Sequence, residues 1–199
     1  MLISCVDSSL VVDELCGQAG RRNTAVTCFY FDFAARKEQT ASSVLGSILK
    51  QVIGGMEGVP EEISRAFQQR ERASDGRGPQ LFEIVKMIQG ITSSRPTFIC
   101  IDALDECAVA QRVRLLRSLE QILGNSPGSR IFVTGRSHIH AEVKKRLAGR
   151  VASVSIGPTR DDIIRFLRAR LSEDEIPDAM NESLEAEILE KLSGKISEM

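Results

Sequence analysis

Hydrophobic residues recur along this chain with a helical period in some segments and as short continuous runs in others. Apolar residues at helical spacing predict a first helix around residues 10–15, which ends at the following glycines. The next run, AVTCFYFDF at 25–33, predicts a buried strand because it is β-rich and too apolar for an exposed edge. The segment TASSVLGSILKQVIGG then predicts a helix with candidate caps at residues 40–43 and a stop at Gly54 and Gly55.

The same alternation continues to the C-terminus. PEEISRAFQQRER has a proline and two acids at its start, which is typical of a helix N-terminus, and the polar segment ASDGRGPQ after it predicts a surface turn. Further helical patterns cover residues 81–88, 113–123, 163–171 and 184–192. Further strands are predicted for TFICI at 97–101, RIFVTGR at 130–136 and VASVSI at 151–156.

The predicted strands alternate with helices, and each strand is too apolar to have a solvent-exposed face. This pattern predicts an α/β fold. Its sheet is expected to be mostly parallel, with helices on both faces. In such sheets ligands bind beyond the carboxyl ends of the strands, so the residues just after each apolar run are the candidates for function.

Composition and charge exclude several classes of partner. The chain has 199 residues, 42% of them hydrophobic and 27% charged, with a net charge of -1 and a pI near 6.2. No global basic field is available to recruit nucleic acid or an acidic membrane. No window approaches the roughly 18 apolar residues of a membrane span, and no signal peptide is recognisable. We therefore expect a cytoplasmic protein that contacts neither nucleic acid nor membrane.

The five cysteines are predicted to be buried, reduced thiols. Their spacing, with two histidines in the whole chain, fits neither a zinc site nor a disulfide framework. A nucleophilic Cys107 is the alternative, but the adjacent acids would raise its pKa and weaken it as a nucleophile.

Three acids follow the strand TFICI at its carboxyl end: Asp102, Asp105 and Glu106. A single aspartate there could simply cap the next helix. Crowded carboxylates repel one another, and a cation normally offsets that cost. Magnesium prefers one or two carboxylates, with water and phosphate completing its shell. The pattern therefore predicts a metal-bound phosphate ligand.

These residues carry a family resemblance. FICIDALDE resembles the extended Walker B motif of NACHT-type STAND NTPases, and RIFVTGR resembles their sensor 1 strand. FYFDFAARKEQTASSVLGSILKQV resembles the segment between Walker A and Walker B in fungal NACHT proteins, the group described as having a nephrocystin-like N-terminal domain. The resemblance implies a three-layer fold like that of P-loop NTPases.

The resemblance also implies roles for individual residues. Asp102 would hold Mg²⁺ through water, and Asp105 or Glu106 would orient or deprotonate the attacking water. Arg136 would report the γ-phosphate, although an arginine after a strand can also be merely solvated.

GPTRDDIIRFLRARL resembles the start of the helical lid that follows the family's NTPase core. This implies an NTPase core at residues 1–157 and the beginning of a lid at 158–199. An ordinary helix capped by Thr159 explains the same residues and is compatible with that assignment.

A phosphate loop of the form GxxxxGK[ST] does not occur in this sequence. Compared with the family, the first strand and P-loop are missing, and the chain is expected to start just after them and to stop inside the lid. Because the P-loop supplies much of the affinity for a triphosphate, we expect weak or absent binding of Mg²⁺ with ATP or GTP. Hydrolysis is not expected.

Three hypotheses about function follow. The first is a partial NACHT/STAND signalling domain, ancestrally an ATP- or GTP-dependent conformational switch. Its partners would be other NACHT protomers, or receptor domains such as ankyrin, WD40 or TPR repeats in a longer protein. The second is a non-catalytic remnant that acts only as an interaction scaffold. The third is a metal-dependent phosphoesterase, for which the sequence offers no further cluster of acids or histidines.

Overall fold

The computed structural model of the protein describes residues 3–19, 23–73, 78–147, 151–157, 159–172 and 182–196. The chain forms two compact units, Met1–Val151 and Ala152–Met199. The boundary predicted from sequence lies after residue 157. The identities of the two units as NTPase core and lid stay predictions.

Helices and strands alternate through the first unit. In chain order its elements are α1 (Ile3–Ala19), β1 (Ala25–Tyr30), α2 (Ala41–Gly54), α3 (Glu61–Ala73), α4 (Leu81–Ser94), β2 (Thr97–Asp102), α5 (Val109–Asn125), β3 (Arg130–Val133) and α6 (His140–Arg146). Short 3₁₀ turns at Leu104–Glu106 and Ser137–Ile139 follow β2 and β3.

The three strands form one parallel sheet in the order β1-β2-β3. Ala25 is opposite Thr97 and Tyr30 is opposite Asp102, while Ile101 is opposite Val133. A parallel sheet with helical crossovers confirms the predicted α/β class and is compatible with a P-loop NTPase fold.

One face of this sheet carries the hydrophobic core. Helix α2 packs on β1, and α4 and α5 pack against α2 and against each other. The residues that become almost fully buried are Val44, Leu45, Ile48, Val52, Ile88, Ile99, Ile101, Leu104, Leu115, Leu116, Leu119 and Ile122. Each such side chain contributes about 1.5–3 kcal/mol through its removal from water.

The ends of α2 lie where the sequence predicted them. Thr40 is the N-cap, and its Oγ1 accepts the backbone N–H of Ser43 at 3.1 Å. The helix ends at Gly54, and the N–H of Gly55 returns to the carbonyl of Gln51 at 3.2 Å. Capping of this kind satisfies backbone groups that the helix itself leaves unpaired.

The opposite face of the sheet is covered by α1, which packs against β1 and β2. Helices therefore lie on both faces, as predicted. Residues 3–6, at the beginning of the chain, belong to α1 and not to a strand.

The expectation that β1 is too apolar for an edge is wrong within the described residues, because β1 is at one end of the strand order. A side chain covers that edge instead of a strand. Gln51 of α2 donates Nε2–H to the carbonyl of Cys28 at 2.8 Å, and its Oε1 accepts the N–H of Cys28 at 2.9 Å. The carboxamide thus occupies the place of a neighbouring backbone and protects the edge.

The strand predicted at residues 151–156 is also wrong. The segment has no regular secondary structure and is exposed, with Val154 at 82% and Ile156 at 71% of full exposure. Its apolar alternation has no partner strand in the described sheet, so nothing satisfies a ladder of backbone hydrogen bonds. The predicted turn ASDGRGPQ falls partly on residues 74–77, which lie outside the described residues.

The second unit contains the two helices predicted for it, α7 (Arg160–Ser172) and α8 (Glu182–Ile196), which pack against each other. A reciprocal cap starts α7. Thr159 donates its N–H and hydroxyl to Asp162 Oδ2 at 3.0 and 2.6 Å, and Asp162 returns its N–H to Thr159 Oγ1 at 3.2 Å. The predicted cap at Thr159 is confirmed.

Candidate functional site

The predicted site residues lie beyond the carboxyl ends of β2 and β3. Both strands run in the same direction, so the turn after Asp102 and the segment after Val133 emerge side by side. This is the edge at which α/β sheets bind ligands. The acids after β2 and the arginine after β3 are therefore neighbours, as the sequence predicted.

Asp102 is the last residue of β2 and is buried, with 7% of its surface exposed. Its Oδ1 accepts a hydrogen bond from the hydroxyl of Ser8 on α1. The same oxygen accepts the hydroxyl of Thr134 at 2.5 Å. A buried carboxylate is costly without such partners, and the two hydroxyls offset part of that cost.

Thr134 also fixes the turn that follows Asp102. Ala103 has a left-handed backbone, with φ 53° and ψ 45°, a conformation that costs an L-residue about 1–2 kcal/mol. Its N–H is held by Thr134 Oγ1 at 3.0 Å, and the N–H of Leu104 is held by the carbonyl of Thr134 at 3.0 Å. The residue after β3 therefore determines the path of the chain after β2.

Asp105 and Arg136 form the second link between the two segments. Asp105 Oδ1 accepts the backbone N–H of Arg136 at 3.2 Å, and Asp105 Oδ2 is 3.3 Å from Arg136 Nε. The Asp105 side chain is 8% exposed, whereas that of Arg136 is 59% exposed. The carboxylate is thus a fixed part of the fold, while the guanidinium stands at the surface.

Gly135 makes this close approach possible. A Cβ at this position would lie 2.6 Å from Ile139 Cδ1 and 3.3 Å from Asp105 Oδ1. The first distance is shorter than carbon atoms tolerate, so a larger residue would push on both neighbours.

Glu106 closes the 3₁₀ turn and is half-buried. Within the described part of the chain, its carboxylate takes part in none of the hydrogen bonds that link Asp102, Asp105, Thr134 and Arg136. Of the three predicted acids, it is the one whose oxygens are not engaged by this network.

Arg112 of α5 holds Cys107, the residue that follows the 3₁₀ turn at Leu104–Glu106. This buried arginine donates Nη1–H to the carbonyl of Cys107 at 3.2 Å and Nε–H to Glu142 Oε2 of α6 at 2.9 Å.

Burial raises the pKa of the Cys107 thiol to about 11, and the positive charges of Arg112 and Arg36 oppose that rise. Cys107 is therefore a buried thiol, as predicted, and burial is the main cause of its raised pKa, with a smaller contribution from the Glu142 carboxylate.

Sequence reasoning missed the role of Ser8. The available signal is the spacing of Ser8, Val12 and Cys16, which places them on one stripe of a helix. Ser8 and Val12 line the same narrow gap above the sheet. Thr134 was recognised only as a motif residue, and its contact with Asp102 depends on the register of β2 and β3.

The donor set at Asp102 suits magnesium in part. A carboxylate and two hydroxyls are oxygen ligands of the kind that Mg²⁺ accepts. The described residues hold no group of three or more histidines, cysteines or acids arranged to bind a metal ion. The gap between α1 and the sheet beside Asp102 is too narrow for a water molecule. The buried carboxylate and its two hydroxyl donors therefore match only part of a magnesium coordination shell.

None of the helices in the described ranges has the length and apolarity that a membrane span requires.

The family described as "Nephrocystin 3, N-terminal" matches residues 5–136. The matched segment runs from α1 to Arg136 and contains every candidate site residue. Neither the curated proteins nor the solved structures yield a match.

Proposed function

The chain belongs to the nephrocystin 3 N-terminal family, and from this membership we propose that it is the α/β core of a NACHT-type STAND signalling domain, of the group found in fungi. Its ancestral activity is an ATP- or GTP-dependent conformational switch, and nucleotide binding by this chain is weak. The observation that carries the proposal is the coupling of the acidic turn after β2 to Arg136 after β3, through Asp102–Thr134 and Asp105–Arg136.

In this proposal Asp102 holds Mg²⁺ through water at the carboxyl end of β2. The hydroxyls of Ser8 and Thr134 orient its carboxylate by donating to Oδ1. The ion, when bound, neutralises charge on the phosphates. The carboxylate of Glu106 is outside the hydrogen-bond network. Glu106 is therefore the residue best able to orient the attacking water or to accept a proton from it.

Arg136 is the movable part of the switch. Its guanidinium is mostly exposed, and its Nε lies 3.3 Å from Asp105 Oδ2. An ion pair of this kind is worth about 0–1 kcal/mol, so a phosphate group carrying more charge can compete for the arginine. Release of Arg136 would leave Asp105 bonded to the backbone N–H alone and loosen the contact between the two segments.

Weak binding follows from the composition of the site. No GxxxxGK[ST] sequence supplies a phosphate cradle in this chain, and the carboxylates that remain repel a triphosphate. We therefore propose that this chain does not hydrolyse nucleotide by itself. We also propose a cytoplasmic location and a role within a longer protein, alongside other NACHT protomers or receptor domains such as ankyrin, WD40 or TPR repeats.

Calorimetric titration of the full chain with Mg²⁺–ATP and Mg²⁺–GTP tests this function. We expect weak, saturable heat that Asp102→Asn abolishes, because the amide keeps the shape but loses the charge that holds the ion. Asp162→Asn is the matched control, since Asp162 is an exposed helix cap in the second unit. Equal binding by wild type and Asp102→Asn would overturn the assignment of Asp102. Circular dichroism establishes that each variant is folded.

A non-catalytic interaction scaffold is the second candidate. It is favoured by the way the polar groups satisfy one another: Asp102 is bonded to Ser8 and Thr134, and Asp105 to Arg136. The gap beside Asp102 admits no water. The absence of any heat with either nucleotide, from a chain shown to be folded, would support this candidate over the switch.

A further inference from the structure

The two edges of the described sheet differ in how they are protected. The edge of β1 is covered by the carboxamide of Gln51, which bonds to both backbone groups of Cys28. At the other end of the strand order, β3 pairs with β2 alone. Every residue of β3 is at least partly exposed, whereas five of the six residues of β2 are buried. Among the residues that the structure describes, the outer side of β3 is therefore an open edge.

The register shows which backbone groups of β3 face outward. Thr134, directly after β3, donates its N–H to the carbonyl of Ile101 on β2 at 3.0 Å. Backbone groups alternate between the two edges of a strand, so Phe132 also faces β2, while Ile131 and Val133 direct their N–H and C=O groups away from it. No hydrogen bond in the described ranges satisfies these outward groups. The outer edge of β3 can thus accept a further strand.

The segment VASVSI at residues 151–156 has the pattern of a strand without a partner. It has no regular secondary structure and is exposed along its whole length. In an extended conformation Val154 and Ile156 share one face, and Ser155 between them lies on the other. Val154 is 82% exposed and Ile156 is 71% exposed. The segment therefore combines an unpaired backbone with one apolar face in contact with water.

We propose that residues 151–156 of one copy of this chain add as a strand to the outer edge of β3 in a second copy. Strand addition gives main-chain hydrogen bonds to both the segment and the edge, and alternate side chains determine which face is buried. The apolar face of the segment then lies beside Ile131 and Val133, whose side chains pack against the core. Burial of Val154 and Ile156 adds to the stability of the pairing.

A second copy fits this edge for two reasons. The segment takes no part in the described sheet of its own chain, so its backbone is left to pair elsewhere. Each copy also supplies one segment and one edge, in equal amounts. The net charge of -1 means that two copies repel each other little. The inference stands on the strand edge and the exposed segment, and it does not depend on nucleotide binding.

Size-exclusion chromatography with multi-angle light scattering tests the proposal on the full chain over a series of concentrations. We expect a mass that rises with concentration above the 21.9 kDa of one chain. Amide hydrogen exchange, read residue by residue, locates the contact. Exchange at Ile131 and Val133 should slow as the concentration rises, whereas Phe132, which already faces β2, should not change.

Substitutions in the exposed segment provide the matched variants. Successive N–H groups point to opposite edges of a strand, so Ser153→Pro combined with Val154→Pro removes a ladder donor whichever way the segment runs. We expect this double variant to have the mass of one chain. Ser153→Ala combined with Val154→Ile keeps both N–H groups and the apolar face, and it should associate like the wild type.

Phe33→Ser is the control for exposed apolar surface, because Phe33 is 67% exposed and lies outside both the segment and β3. It should leave association unchanged, and circular dichroism establishes that each variant is folded. A mass of one chain at every concentration would contradict the proposal. So would association by the double-proline variant, or slow exchange at Ile131 and Val133 that does not depend on concentration, since such pairing would lie within one chain. Association without slower exchange at these two residues would place the interface elsewhere and contradict it equally.

Discussion

Thr134 donates its hydroxyl to Oδ1 of the buried Asp102 at 2.5 Å, across 32 positions of sequence. The same hydroxyl oxygen accepts the N–H of Ala103 at 3.0 Å. One small side chain therefore satisfies both the acid at the end of β2 and the left-handed residue after it. This makes Thr134 the centre of the candidate site, although within the segment RIFVTGR the family resemblance assigns a role only to Arg136.

Thr134→Val is expected to destabilise the protein by about 2 kcal/mol, because it leaves the Ala103 N–H without a partner and removes a donor from a buried carboxylate. Valine keeps the shape of threonine, so packing changes little. Urea unfolding at neutral pH measures the effect. Thr134→Ser keeps the hydroxyl and should recover most of the lost stability, and equal losses in the two variants would contradict the role given to the hydroxyl.

The Asp105–Arg136 contact predicts an asymmetric pair of substitutions. Asp105→Ala should cost about 2 kcal/mol, because it removes the acceptor of the Arg136 backbone N–H as well as the ion pair. Arg136→Ala should cost less than about 1 kcal/mol, because its side chain is mostly exposed. Urea unfolding of both variants measures the difference.

A double-mutant cycle isolates the ion pair itself. Its coupling free energy should fall as salt rises, and the exposed Glu61–Arg65 pair on α3 provides the control cycle. Equal destabilisation by the two single substitutions would mean that the backbone hydrogen bond to Asp105 contributes little.

Local pattern predicted most of the elements. The helical period and cap residues placed α2 between Thr40 and Gly55, and the apolar run before Asp102 predicted β2. Because the strands were predicted to be parallel, their polar ends could be expected at one edge. The pattern therefore predicts that Asp102 and Arg136 lie near each other.

Tertiary contacts account for what the pattern did not predict. Nothing local to Ser8 indicates that its hydroxyl meets Asp102, since the two are 94 positions apart. The carboxamide that covers β1 comes from Gln51, which by pattern is only a polar residue late in an amphipathic helix. At residues 151–156 the alternation was that of a strand, but a strand also requires a partner, which sequence alone does not supply.

Substitution of Gln51 removes the carboxamide that covers the outer edge of β1. Gln51→Met should destabilise the protein by about 1–3 kcal/mol, because both the N–H and the carbonyl of Cys28 lose their partner. It should also promote self-association, because an unprotected strand edge can pair with another chain.

Urea unfolding and light scattering measure these two effects of Gln51→Met. Lys50→Met on the same helix is the control for added apolar surface, since Lys50 is exposed. If Lys50→Met aggregated as readily as Gln51→Met, the effect would be due to hydrophobicity and not to the open edge.

The buried thiols predict a loss of stability at alkaline pH. Burial raises the pKa of Cys100 and of Cys107 from 9.0 to about 11 in the folded chain. Folding therefore favours the protonated thiols, and their contribution is complete below pH 9 and is lost as the pH rises toward 11. The difference between 9.0 and about 11 corresponds to at most about 3 kcal/mol for each thiol.

Urea unfolding between pH 8 and pH 11 tests this linkage, with the slope of the unfolding free energy against pH as the readout. Tyrosine and lysine side chains also titrate in this range, so the wild type is compared with Cys107→Ala under the same conditions. The variant starts from a lower stability because it contains a cavity, but its slope should be shallower, since one of the two thiols that drive the loss is absent. Parallel slopes would show that the Cys107 thiol ionises as readily in the folded chain as in the unfolded chain.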